Sequence, residues 1–155
     1  MGATVNGAAA RAGIRLAGRC GVLAALLLAL GLTALSTLPG PDADGQQVFA
    51  FFLDSGTGLR LGAASIIVGL LLIAVLFAAL NRLLWDAGAD VIGAGMLALS
   101  LVAVGAQALA AATLISLAAG SEDADPSTSR ELLDLADTAI GISGPAFAGA
   151  LLAFA

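Results

Sequence analysis

Residues 61 to 80 read LGAASIIVGLLLIAVLFAAL, twenty residues without one charge. A helix of about 20 such residues crosses the roughly 30 Å of hydrocarbon in a bilayer. Lipid offers no partner to an unpaired backbone amide, so a stretch of this kind has to be helical. Its flanks agree. Thr57 and Gly58 lie where the helix could start, and Arg60 lies where a long cation can reach the interface. Asn81-Arg82-Leu83-Leu84-Trp85-Asp86 closes it, with the single Trp where an interfacial aromatic belongs.

Three more runs repeat the pattern. Cys20 to Leu38 is free of charge, follows Arg11, Arg15 and Arg19, and is stopped by Pro39 and Pro41. A secretory signal peptide is the rival reading, with Ala34-Leu35-Ser36 as its cleavage site. The run is longer than such segments usually are, and further spans follow, which favours a retained helix. Val91 to Ala119 is the third run; as a helix its twenty-nine residues extend about 43 Å, so it should tilt or protrude. Ala136 to Ala155 is the fourth, with Pro145 expected to kink it between Gly141, Gly144 and Gly149. The expected fold is therefore all-α, a polytopic bundle of four transmembrane helices. A basic N-terminal segment, residues 1–19, precedes a membrane domain, residues 20–155, with spans at about 20–38, 61–80, 91–119 and 136–155.

Composition excludes most other classes. Of the 155 residues, 60% are hydrophobic and 11% charged, whereas soluble domains carry about 25% charged residues. The mean hydropathy is +1.05 and the pI about 4.2. A net charge of -5 argues against a nucleic-acid partner. There is no His, no Tyr and one Cys, which removes His-based catalysis, most zinc sites and an intrachain disulfide. All six basic residues are Arg, which we read as the codon bias of a GC-rich bacterial genome.

The loops carry the remaining polarity. Residues 39–60 hold Asp42, Asp44 and Asp54, and within them Val48-Phe49-Ala50-Phe51-Phe52-Leu53 reads as an interfacial segment resting at headgroup depth. Residues 120–135 hold Glu122, Asp123, Asp125, Glu131 and Asp134 against Arg130. Thr128-Ser129-Arg130-Glu131 has capping-box spacing, so a helix is expected to begin near Ser129. Arginines concentrate in the N-terminal segment and at Arg82. The positive-inside rule therefore puts both termini in the cytoplasm and the two acidic loops outside.

No constellation for chemistry emerges, and no catalytic, cofactor-binding or metal-binding residue is assigned. Glu122, Asp123 and Asp125 could attract a hard cation but lack the spacing of a calcium loop, so they read as solvated acids. Asp137 falls in the first turn of span four, where a carboxylate favours the helix dipole. Gln107 is the only strongly polar side chain deep in a span. Ser100 shares its face, with Gly93, Ala103 and Ala110 close to the same stripe, which suits a helix-to-helix hydrogen bond. Pro145 and its glycines resemble the broken helices of transporters, but no second such helix matches them.

Arg11-Ala12-Gly13-Ile14-Arg15-Leu16-Ala17-Gly18, Leu59-Arg60-Leu61-Gly62-Ala63, Asn81-Arg82 and Gly144-Pro145 together resemble a family of bacterial multi-pass membrane proteins of unknown function. That resemblance implies a six-helix protein and supplies no catalytic residues. It agrees with the apolar stop at Ala155, from which we expect this chain to be the N-terminal part of a longer one. The partners expected are the lipid bilayer and other membrane proteins or the chain itself. The leading expectation is a non-enzymatic protein of the bacterial plasma membrane; the alternative is part of a small-molecule transporter.

Overall fold

A computed structural model describes residues 3–40, 42–120 and 125–152, with side chains from residue 13 onward. It is an all-α four-helix bundle: α1 (Ala3–Leu35), α2 (Gly45–Asp86), α3 (Asp90–Ala119) and α4 (Pro126–Leu152). Each helix is long and apolar enough to cross a membrane, α1 through its portion Gly13–Leu35. Each expected span falls on one of these helices: 61–80 and 91–119 lie wholly within α2 and α3, 20–38 overruns the end of α1 at Leu35 by three residues, and 136–155 follows α4 as far as it is described. Glu122, Asp123 and the last three residues fall outside the described part.

Small residues at seven-residue spacing hold the helices together. Ala17, Ala24 and Gly31 are buried on α1, as are Ser129, Ala136, Ser143 and Ala150 on α4. On α3 the buried seam is Met96, Ala103, Ala110 and Leu117, and on α2 it runs Gly56, Ala63, Leu70 and Phe77. A repeat of seven is 3.5 residues per turn, which wraps helices with a left-handed crossing. Small side chains let backbones approach, and in lipid that close van der Waals contact replaces the hydrophobic drive.

Helices α1 and α2 approach closely. A Cβ on Gly31 would lie 2.4 Å from the Ile66 side chain and 2.8 Å from the Gly62 carbonyl, and one on Gly62 would lie 2.5 Å from the Ala34 Cβ. Helix α1 packs on α2 alone, whereas α2, α3 and α4 pack on one another. Val48, Phe52, Leu59, Leu114 and Leu133 fill the three-helix core at the end where α2 begins. Phe77, Met96 and Ala150 fill it toward the end where α2 stops, and there the Phe77 and Phe147 rings stack at 6.4 Å.

Two loops are shorter than the sequence suggested. Residues 39–60 are not a loop: α2 begins at Gly45 and runs 42 residues without a break. The Val48–Leu53 patch is accordingly not an interfacial segment beside the bundle, because Val48 and Phe52 are buried in its core. Asp44 starts the helix. Its carboxylate accepts from the Gln47 amide at 2.8 Å while the Gln47 side chain accepts from the Asp44 amide at 3.3 Å, a capping box. Helix α4 likewise begins at Pro126 and not near Ser129. Asp125 takes the capping role, accepting from the Ser127 amide at 3.2 Å and from the Ser127 hydroxyl. Ser129 instead turns inward, and its hydroxyl donates to the Asp125 carbonyl. Helix α4 continues through Pro145.

The α2–α3 turn is only three residues. Gly88 adopts φ 78°, the left-handed conformation that glycine accepts without strain. The Ala89 amide donates to the Leu84 carbonyl and the Gly88 amide to that of Trp85, the paired bonds of a Schellman cap. Helix α3 matches its expected bounds to one residue.

Candidate functional site

Polar side chains gather at two places, one inside the bundle and one at its acidic end. Inside, the seams of α3 and α4 bring Gln107 to Ser143. The Gln107 Nε2 donates to the Ser143 Oγ at 2.7 Å, and that hydroxyl donates in turn to the Ile140 carbonyl at 2.7 Å. Ser143 is fully buried. The expected helix-to-helix hydrogen bond of Gln107 is therefore present. Ser100 is also buried on this stripe, but its hydroxyl donates to the Leu97 carbonyl of its own helix. Sequence reasoning missed Ser143, although its seven-residue spacing from Ala136 and Ala150 places it on the same seam.

At the acidic end, Arg130 ties α4 to the α1–α2 loop. Its Nη2 lies 2.7 Å from Asp134, one turn along α4. Its Nη1 donates to the Ala43 carbonyl at 3.0 Å and to the Gly40 carbonyl at 3.3 Å, both in the α1–α2 loop. The Arg130 side chain is 25% exposed, so these bonds are partly shielded from water. A planar guanidinium suits this work, since it offers several donors in fixed directions. Beside it lies a cleft of about 220 Å³, lined by Leu38, Pro39, Leu114, Ile140, Asp134 and Asp137 among others. Ligand sites typically exceed about 300 Å³, and Arg130 is already engaged. Asp137 is exposed at the rim of this cleft, one turn from Asp134, and no ion pair of its side chain is present among the described residues.

Other polar groups cap helices. Arg60 donates through Nε at 3.1 Å, and through Nη2, to the Ala118 carbonyl. A cation there satisfies an otherwise open carbonyl and complements the negative end of α3. Asp125 has its carboxyl held below the usual carboxylate range, first by the Ser127 hydroxyl and then by the Ser127 and Thr128 amides. At the opposite end, the Asn81 Oδ1 is buried without a hydrogen-bond partner among the described residues. It sits against Gly93, where a Cβ would lie 2.6 Å away. Trp85 is exposed nearby, at the position expected of an interfacial anchor.

Chemically, these groups act as struts. Through backbone carbonyls Arg60 bridges α2 to α3 and Arg130 holds α4 to the α1–α2 loop, and Gln107 bridges α3 to α4 through a hydroxyl. Comparison with family models, with curated proteins and with solved structures gives no match. The four apolar helices are what a membrane protein requires.

Proposed function

We propose that the chain is a non-enzymatic integral protein of the bacterial plasma membrane, with its N-terminus cytoplasmic, that works through contact with another membrane component. The observation carrying this reading is the use made of Gln107. A transport pathway would present its deep polar group to a water-filled cavity. Here the amide nitrogen is spent on Ser143, and that hydroxyl on Ile140.

The lateral surface supports the same reading. Helix α1 leans on α2 alone and exposes Val22, Leu23, Leu26 and Leu30. In a membrane this apolar strip faces lipid or a neighbouring protein. The test has two arms. A photocrosslinker at Leu23 or Leu26 should give discrete higher-mass protein adducts in native membranes, and the purified chain in sealed vesicles should pass no small solute. Adducts with lipid only would overturn the partner reading, and saturable solute flux would overturn the non-transport reading.

A further inference from the structure

We infer that the groove between the basic ends of α1 and α2 holds an acyl chain of an anionic phospholipid, with the phosphate between Arg15 and Arg82. The inference needs only that these helices sit in a membrane, so the partner and flux experiments leave it untouched.

The groove follows from how the two helices diverge. At the acidic end they touch so closely that a Cβ on Gly31 or Gly62 would collide with the opposite helix. Toward the basic end contact loosens. A Cβ on Gly21 would meet Leu76 at 3.3 Å, and one on Gly18 or Gly13 would meet nothing within 4 Å. The space so opened is about 770 Å³, walled by Gly13, Ala17 and Gly18 on α1 and by Leu76, Ala79 and Leu80 on α2. That is the size of a site for an extended apolar ligand.

Charge complementarity identifies the ligand. Gly21 lies against Leu76, Leu28 against Gly69, and Gly31 against Ile66. This antiparallel register, continued inward, sets Arg15 level with Arg82. Arg82 and Asp86 both line the groove. Arg15 and Arg19 border a second, shallower hollow that shares Gly18 with it. Arg82 pairs only with exposed Asp86, at 3.2 Å, and neither Arg15 nor Arg19 has an ion-pair partner among the described residues. Basic side chains beside an apolar cleft, at headgroup depth, are what binds an anionic lipid between helices.

The experiment uses the full chain, reconstituted in phosphatidylcholine vesicles containing a minor fraction of phosphatidylglycerol and then extracted in mild detergent. Lipids retained on the protein are measured by native mass spectrometry. The expected result is enrichment of phosphatidylglycerol over its share of the vesicle. Arg15→Gln or Arg82→Gln should each reduce that enrichment about fivefold, the factor for one arginine at a membrane surface. Asp86→Asn, which removes the competing carboxylate, should raise it; a misfolded variant would not. Arg60→Gln, at the other end, should leave it unchanged. Gly18→Leu has room for its side chain and should expel lipid of both kinds. Equal retention of the two lipids, indifference to Arg15→Gln and Arg82→Gln, or a dimer that Gly18→Leu dissociates would each overturn the inference, the last by showing a second copy in the groove.

Discussion

Adding a single methyl group at Gly31 tests the central packing claim. In Gly31→Ala the new Cβ would sit 2.4 Å from Ile66 Cγ1 and 2.8 Å from the Gly62 carbonyl oxygen. Carbon atoms in contact prefer about 3.5–4.0 Å, so α1 must back away by more than an ångström or Ile66 must leave its rotamer. The Gly62 oxygen is backbone and cannot turn aside. Overpacking of this kind costs roughly 1–3 kcal/mol. Alanine returns about 1 kcal/mol through its better helix propensity. The net expectation is a loss of up to about 2 kcal/mol. Gly105 on α3 provides the control, because a Cβ there meets nothing within 4 Å. Gly105→Ala should therefore stabilise by up to about 1 kcal/mol. Unfolding of each variant by SDS titration, followed by circular dichroism, measures the difference. It should amount to about 1–3 kcal/mol, between fivefold and 150-fold in the unfolding constant. Equal behaviour of the two alanines would refute the close approach of α1 to α2.

Three further outcomes follow from the polar contacts. Gln107→Leu should cost about 0.6 kcal/mol and at most about 1.7 kcal/mol, the range of interhelical hydrogen bonds in membranes. A double-mutant cycle with Ser143→Ala checks this, and additive losses would mean the two side chains do not interact. Arg130→Met removes charged hydrogen bonds to two loop carbonyls, each worth about 1.5–3 kcal/mol at most; residues 36–44 should then be cleaved faster by added protease, and an unchanged rate would contradict the tether. Asp125 has a lowered carboxyl pKa in the folded protein, so the cap it forms is fully present above the unfolded value of 3.8 and lost as pH falls through the folded one. The Ser127 and Thr128 amide resonances should move in that acid range, and Asp125→Asn should abolish the movement while keeping an acceptor; a movement that persists in Asp125→Asn would assign it to another group.

The sequence disclosed the lipid-facing part of the fold better than the protein-facing part. Charge-free length located the spans, and it found α3 to one residue because Asp90 and Gly120 bound both ends. The same criterion hid the first third of α2, since Asp54 and Arg60 interrupt the apolar run without interrupting the helix. The signal there is period: Phe52, Leu59 and Ile66 are buried seven apart, and that spacing passes straight across Arg60. Asp44 and Gln47 also mark the true start, through an acidic cap with a glutamine three residues on. At α4 the capping pattern was read one turn late, because Asp125 supplies the acceptor that Thr128 seemed to offer and because Ser129 belongs to the buried seam. Gln107 was legible as a helix bridge because it stands alone among apolar neighbours. Its partner was not, since a serine in a membrane helix ordinarily bonds back to its own turn. The role of Arg130 was hidden for a different reason: its acceptors are backbone carbonyls far away in the chain, and no side-chain pattern records them.

Helix α2, at 42 residues, is about 63 Å from end to end, roughly twice the thickness of the oily layer it crosses. No proline interrupts it. A helix of that length overhangs any hydrocarbon layer it crosses, so its Asp44 start and its Trp85 end cannot both lie in the oil, and Arg60 and the Gly88 turn fix α3 against it at two well-separated levels.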